Sequence, residues 1–207
     1  MNDYKVVISR YKENIEWIKM FDDYVVFNKG SVEGISEEIL DRCYYLPNVG
    51  KDLDIILRYI TTHYYHLPPK IAFCQGNYSD HYNLSGPEFK ERLLCLKDGY
   101  STLDYTTDKC FNKHGNMPTF NIEYWPDKLD NYRVDYDLQT WWKEMSGEEY
   151  IQKPIVFWGC IFCVEKELIY RRPLSFYKKL HGYFTKHRNP VETHFVERTW
   201  ANIFNIE

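Results

Sequence analysis

The chain has 207 residues and a formal net charge of −4, with 44% hydrophobic and 27% charged residues. This length is enough for one sizeable hydrophobic core, so we expect a single domain. The slight acidity and the scattered Lys and Arg residues argue against a dedicated nucleic-acid-binding protein, and no apolar run approaches the length of a membrane span.

Aromatic residues and cysteines are the unusual part of the composition. Phe, Trp and Tyr make up 18% of the chain, and rings that reach the surface stack well on sugars or bases. The six cysteines are dispersed. Cys160 and Cys163 have zinc-like spacing, but they lie in a predicted strand, where residues three apart point to opposite faces. Buried, reduced cysteines and the absence of a signal-peptide pattern indicate a cytoplasmic protein.

The first 98 residues alternate short apolar strands with helical periods, which predicts a doubly wound α/β half with parallel pairing. The predicted strands are Lys5–Ser9, Tyr24–Phe27 and the strand beginning at Lys70. The predicted helical segments are Asn14–Phe21, Ser36–Asp41, a helix from Asp52 to His66 and a helix over Pro87–Leu96.

The second half is less regular. Residues 99–153 have no clear period apart from a short helix around Leu138–Met145, and they predict an irregular excursion on the substrate side. Residues 154–207 complete the domain with a strand over Pro154–Val164, interrupted at Gly159, and with helical segments that end in a helix over Val191–Ile203.

The stretch Lys70–His81 is the first place to expect chemistry. It begins as a buried strand and changes within two residues to Gln75, Gly76, Asn77, Ser79, Asp80 and His81. In an open α/β sheet, ligands collect just beyond the carboxyl ends of the strands. The alternative is a strand followed by a polar turn without a function.

Seven segments, in their order and spacing, resemble a family of largely uncharacterised proteins with a glycosyltransferase-A-like fold, and they are similar to a capsid-glycan glycosyltransferase domain of chlorella viruses. The segments are Val6–Trp17, Phe27–Gly30, Leu46–Asp52, Phe73–Gly76 with Asp80-His81, Gly159–Val164, Arg172–Tyr177 and Glu192–Trp200. The resemblance implies a mixed, mostly parallel sheet flanked by helices. It further implies transfer of a sugar from a UDP-sugar donor to a hydroxyl of a glycan acceptor, with Mn²⁺ or Mg²⁺ as cofactor. The chain is then either a whole protein or one domain of a longer polypeptide.

A bound nucleotide diphosphate needs cations and hydrogen-bonding groups at the strand ends. Arg10 and Lys29 each follow a predicted strand, and Tyr11 comes next to Arg10. Further nucleotide-sugar contacts are predicted for Asn48, Gly50, Asp52 and Gln75, with Gly50 allowing close approach of the backbone. Solvated surface charges are the alternative for Arg10 and Lys29, and a helix N-cap is the alternative for Asp52.

The metal prediction rests on one carboxylate. Such folds usually place an Asp-x-Asp after the fourth strand, where this chain has Asn77-Tyr-Ser-Asp80-His81; its own Asp-x-Asp, at Asp135–Asp137, follows no apolar strand. Asp80 is the predicted ligand because Mn²⁺ and Mg²⁺ prefer carboxylate oxygens. His194 is a second candidate, with a purely structural histidine as the alternative.

Three further residues complete the predicted site. Trp158 is positioned to stack on a sugar, and Gly159 marks a close approach within a strand, with core packing and a β-bulge as the alternative. A carboxylate is the expected general base for the acceptor hydroxyl. Glu192 and Glu197 are the candidates, and we favour Glu192 because it lies near the start of the last helix.

Two other functions remain open at this point. The first is a catalytically inactive nucleotide- or carbohydrate-binding module of the same fold, which the incomplete Asp-x-Asp suggests. The second is a nucleotidyltransferase that uses the same kind of sheet and metal.

Overall fold

A computed structural model describes residues 3–103, 130, 136–153, 157 and 160–206. These residues form an α/β structure around one six-stranded sheet, whose strand order is β3-β2-β1-β4-β6-β5. The strands are β1 (Tyr4–Arg10), β2 (Tyr24–Asn28), β3 (Cys43–Tyr45), β4 (Lys70–Gln75), β5 (Tyr100–Thr102) and β6 (Phe162–Glu165).

The sheet is mostly parallel. Strand β1 pairs in parallel with β2 and β4, and β2 pairs in parallel with β3. Strand β6 runs antiparallel to both of its neighbours, β4 and β5, so five of the six strands point in one direction. The predicted α/β class with a mixed, mostly parallel sheet is therefore confirmed.

Helices flank the sheet. They are α1 (Glu37–Leu40), α2 (Lys51–His63), α3 (Gly86–Leu94), α4 (Leu138–Ser146), α5 (Lys166–Ile169), α6 (Leu174–His181) and α7 (Glu192–Ile203). Short 3₁₀ turns cover Glu16–Met20, Tyr64–His66, Tyr78–Asp80 and Gly182–Phe184. Within the described ranges, none of these helices combines the length and the apolar composition that a membrane crossing requires.

Two hydrophobic cores cover the two faces of the sheet. Val7 of β1 packs in the core beneath α2, α4, α6 and α7, whereas its neighbours Val6 and Ile8 pack in the core beneath α1 and α3. Because successive side chains of a strand alternate between faces, burial of both faces requires the continuous apolar run that β1 shows.

Two predicted elements differ in the structure. The segment from Asn14 to Phe21 forms a 3₁₀ turn over Glu16–Met20, and Ile15 and Ile18 still reach the core. The predicted irregular segment begins with a strand, β5, which follows a turn at Asp98 and Gly99. Three residues are too few for a hydrophobic period to appear, and this explains why β5 was missed.

Buried thiols lie on both sides of the sheet. Cys160 packs in the α2-side core, whereas Cys163 packs in the opposite core near Cys74. Cys160 precedes β6, and its backbone is left-handed, with φ of +56°. Burial raises the pKa of all three thiols, to about 12 for Cys163. These cysteines are therefore protonated packing residues.

Phe162 tests the α2-side core. Its ring centroid lies 5.3 Å from that of Phe73 and 5.0 Å from that of Trp200, and the residue is fully buried. We expect Phe162→Ala to lower the free energy of unfolding by about 3–5 kcal/mol, because a large cavity remains. Urea unfolding measures this. The control is Tyr65→Ala at a ring that is 74% exposed, and an equal loss there would contradict this account of the core.

Candidate functional site

A hollow of about 470 Å³ opens where β1, β2 and β4 end. Its walls come from the segments that follow these strands, from the start of α2 and from the segment before α7. The described residues that line it are Ser9, Arg10, Tyr11, Glu13, Lys29, Asn48, Lys51, Asp52, Gln75, Gly76, Asn77, Asp80, Asp130, Arg188 and Asn189.

The structure brings most of the predicted site residues together. Seven of them line the hollow: Arg10, Tyr11, Lys29, Asn48, Asp52, Gln75 and Asp80. Trp158 and Gly159 lie outside the described residues. Gly50, Glu192 and His194 are not among the described lining residues. The parallel strands explain the convergence, since their carboxyl ends meet at one edge of the sheet.

Arg10 is a buried residue that holds the neighbouring loops, and it is not an exposed cation. The residue is only 2% exposed. Its guanidinium donates to Asn28 Oδ1 at 2.7 Å, to the carbonyl of Glu13 at 2.8 Å and to the carbonyl of Glu33 at 2.9 Å. All of these acceptors are neutral, and within the described chain no carboxylate forms an ion pair with Arg10. Its positive charge therefore still acts on the hollow, although its N–H groups hold the neighbouring loops.

Lys29 is buried in the same way at the end of β2. Its Nζ donates to the carbonyls of Val49 and Lys51, each at 2.5 Å, and lies 3.2 Å from Asp54 Oδ2. Burial lowers the pKa of Lys29, although the charge of Asp54 opposes this effect. Lys29 thus ties the end of β2 to the start of α2.

Asp54 is the centre of a buried ionic network. Its side chain is fully buried, and its Oδ1 lies 2.9 Å from Arg58 Nη2 and 2.8 Å from His181 Nε2. Burial alone would raise the pKa of Asp54, but the hydrogen bond with His181 and the charges of Lys29 and Arg58 hold that pKa below its ordinary value. One carboxylate therefore joins β2, α2 and α6.

The start of α2 overturns the helix-cap alternative for Asp52. Gly50, not Asp52, is the N-cap residue, and no side chain caps the helix. Gly50 has φ of +62°, and an added Cβ would lie 2.3 Å from the carbonyl oxygen of Phe184. This packed left-handed turn requires a glycine without any ligand, and the contact between Gly50 and a nucleotide stays a prediction. The next residue, Lys51, is also left-handed, with φ of +45°.

Asp52 belongs to the first turn of α2 and points into the hollow. Burial raises its pKa, and the nearby charges of Glu197 and Glu13 raise it further, whereas a hydrogen bond with Ser9 and the charge of Lys29 lower it. A raised pKa in a cavity is typical of functional carboxylates.

Asp80 is held at the rim by its own loop. Asn77 Nδ2 donates to Asp80 Oδ1 at 2.6 Å, and Asn77 Oδ1 accepts from Ser79 Oγ at 2.7 Å. Between them, Tyr78 is buried with its ring stacked on Phe89 at 4.0 Å, which anchors the loop to α3. Asp80 is exposed and keeps carboxylate oxygen available for a ligand.

The predicted residues on α7, Glu192 and His194, do not belong to the described wall of the hollow. Glu192 begins the helix and is only 3% exposed. His194 Nδ1 lies 3.8 Å from Glu197 Oε2 in the next turn. The base role of Glu192 and the ligand role of His194 stay predictions. The described residues contain no group of three His, Cys, Asp or Glu side chains that could hold a metal ion.

Several lining residues were missed from the sequence. Glu13 accepts from the backbone N–H of Tyr11 at 2.6 Å and of Lys12 at 3.0 Å, which shapes the loop after β1. Lys51 and Arg188 are exposed cations, and the guanidinium of Arg188 lies 5.8 Å from the Tyr11 ring centre. Glu13 and Lys51 belong to segments already singled out above, but no local signal marks Arg188.

Arg188 comes to the hollow through a long-range contact, since the backbone N–H of Gly50 donates to the carbonyl of His187 at 2.7 Å. This bond places the segment before α7 beside the start of α2. Asn189 continues the same wall, and its backbone N–H donates to Asp130 Oδ2 at 2.7 Å.

Replacement of Asp54 tests the ionic network. We expect Asp54→Asn to lower the free energy of unfolding by about 3 kcal/mol, because Lys29 remains buried without its charge partner. Urea unfolding at pH 7 measures this. The matched control is Asp41→Asn on the surface, where we expect a change within about 0.5 kcal/mol; equal losses would contradict the network's importance.

The same pair of proteins gives a pH dependence. Because the pKa of folded Asp54 is lowered, its contribution is complete above the ordinary value of 3.8 and is lost as the pH falls through the lower folded value. The stability difference between wild type and Asp54→Asn should therefore be constant near neutrality and shrink in acid below about pH 4. A difference that grows on acidification would contradict the lowered pKa.

Comparison with known proteins identifies a family. No curated protein and no solved structure matches the chain. A family described as "Protein of unknown function (DUF3431)" matches residues 6–207, a span that includes every described residue of the hollow. The chain therefore belongs to the DUF3431 family.

Proposed function

We propose that this protein is a glycosyltransferase that transfers a sugar from a UDP-sugar to a hydroxyl of a glycan acceptor, with the nucleotide diphosphate bound in the hollow. The observation that carries the proposal is the position of the hollow at the carboxyl ends of three neighbouring parallel strands. The mixed, mostly parallel sheet with helices on both faces is compatible with a glycosyltransferase-A-like fold and supports this choice.

The hollow offers cations for a diphosphate. Lys51 and Arg188 are exposed cations in its wall, and Arg10 adds a buried positive charge that forms no ion pair among the described residues. The same wall also carries four carboxylates, those of Glu13, Asp52, Asp80 and Asp130. The volume of about 470 Å³ lies in the range of small-molecule sites. In the proposal, Lys51 and Arg188 contact phosphate oxygens, and Arg10 and Lys29 hold the loops that carry these contacts.

The other wall offers groups for the nucleoside. The Tyr11 ring is 36% exposed at the hollow, and a flat base can stack on such a ring. Asn48, Asp52 and Gln75 present side-chain oxygen and nitrogen atoms in the same cavity. We assign them to hydrogen bonds with uracil and ribose, as the resemblance implies.

A divalent metal fits the hollow only together with its substrate. The described residues do not form a complete metal site, but Mg²⁺ commonly binds through one or two carboxylates, substrate phosphates and water. Asp80 is the carboxylate that we assign to it. When bound, Mn²⁺ or Mg²⁺ would offset the negative charge on the leaving diphosphate.

The direct test is UDP release from a panel of UDP-sugars with Mn²⁺, with and without a chelator. We expect metal-stimulated release, and we expect Asp80→Asn to lower it by about 100-fold, because charge on the leaving group is no longer offset. Asp41→Asn, at an exposed aspartate on the far end of α1, is the matched control. Unchanged release by Asp80→Asn would contradict the metal assignment, and UDP binding without any release would favour the inactive binding module.

A second test measures the coupling between metal and nucleotide. If the diphosphate supplies most of the metal ligands, Mn²⁺ should bind weakly alone and raise the affinity for UDP by about tenfold or more, with reciprocal coupling. Isothermal titration of UDP with and without Mn²⁺ measures this. In Asp80→Asn the coupling should fall, whereas UDP affinity without metal should stay the same. Tight Mn²⁺ binding in the absence of UDP would overturn the shared site.

A further inference from the structure

A second cavity, of about 1130 Å³, lies away from the hollow on the face of the sheet that α2 covers. We call it the α2 groove. Strands β2 and β3 form one wall and the second half of α2 forms the other, with contributions from Phe27, Tyr44, Tyr45, Arg58, Tyr59 and His63. Strand β3 is the last strand in the sheet order, so the groove lies at a sheet edge.

Aromatic rings lie on both walls of the α2 groove. The Phe27 and Tyr44 rings are stacked with centroids 5.5 Å apart, and the Tyr59 and His63 rings are stacked at 4.4 Å. Tyr44 is nevertheless 60% exposed. Exposed rings beside a cavity gain free energy when a flat apolar group covers them.

The α2 groove is also positively charged. Among the described lining residues, Lys5, Arg58 and Lys166 face a single carboxylate, that of Asp23, which is paired with Lys5. Arg58 contacts Asp54, but Asp54 already pairs with the buried Lys29. The single charge of Asp54 therefore does not neutralise both cations, and an excess of positive charge remains at the α2 wall.

We propose that the α2 groove binds a small ligand that joins an aromatic body to an anionic group. The ring lies against Tyr44, and the anion pairs with the guanidinium of Arg58. A guanidinium is suited to this role because its N–H groups can donate in pairs to a carboxylate or phosphate. A cavity with mostly apolar, aromatic walls and a few convergent polar groups is the usual form of a small-molecule site. This inference does not depend on the glycosyltransferase proposal.

The test titrates the whole protein with three probes in a calorimeter. 1-Naphthyl phosphate carries both features, 1-naphthol carries only the ring, and inorganic phosphate carries only the charge. We expect 1-naphthyl phosphate to bind about tenfold or more tightly than either of the others, because only it uses both walls. Equal affinity for 1-naphthol would overturn the proposal, because the binding would then be adsorption on an apolar surface without a contribution from the charge.

Matched variants then locate the binding. Arg58→Gln should weaken 1-naphthyl phosphate by about tenfold, whereas Arg188→Gln, which removes the same charge from the hollow, should leave it unchanged. The opposite pattern would place the probe in the hollow and overturn the proposal. It would not affect the proposed UDP site, so the two proposals fail separately.

A second variant covers the case in which Arg58→Gln disturbs the Asp54 network. Tyr44→Ser removes the exposed ring of the groove and should weaken 1-naphthyl phosphate by about fivefold. Tyr65→Ser removes a ring that is 74% exposed and lies outside the described lining, and it should have no effect. Equal effects of the two tyrosine variants would contradict stacking in the α2 groove.

Discussion

The candidate site depends on one buried ammonium group. Lys29 Nζ binds the carbonyls on both sides of Gly50 and lies beside Asp54, which is itself fixed by Arg58 and His181. Two consecutive left-handed residues begin α2 at this point. Such backbone persists only when its surroundings determine it strongly. The Lys29–Asp54 ion pair thus sets the direction of α2, and with it the positions of Lys51 and Asp52 in the hollow.

Buried ion pairs seldom add much net stability, because desolvation of both charges cancels most of their attraction. In this protein they fix the positions of α2 and of the segments next to it. Arg10 acts similarly at the end of β1, where its donors hold the loop between β2 and α1. Two cations are therefore used inside the protein to shape a site whose outer charges come from Lys51 and Arg188. If Arg10 and Lys29 were exposed, the net charge of the protein would be the same, but the loops around the hollow would lose the bonds that fix their positions.

The location of the hollow was predictable from the sequence, whereas the burial of each side chain in it was not. Continuous apolar runs at β1 and β4 mark parallel strands buried on both faces, and parallel strands bring their ends together. This reasoning placed Arg10, Asp52 and Asp80 near one another. It could not show that Arg10 and Lys29 are covered, because their burial depends on loops whose conformations have no sequence period.

Long-range contacts explain the remaining differences. Arg188 reaches the hollow through a backbone bond between His187 and Gly50, which are far apart in the chain. Gly50 takes the N-cap position from Asp52 because Phe184 packs against it from another helical segment. Neither partner can be read from the residues around Gly50, and a glycine before an acidic helix start suits both a ligand contact and a packed turn.

The placement of the thiols has a practical consequence. Cys74, Cys160 and Cys163 are covered on both sides of the sheet, whereas Cys95 is exposed and Cys43 is half-buried. Among the cysteines of the described residues, Cys95 should therefore react first with a maleimide dye added to the native protein, while the three covered sulfurs react only when the sheet opens. With Cys43, Cys95 and Cys110 replaced by serine, the rate of the remaining alkylation measures opening of the native sheet without any denaturant.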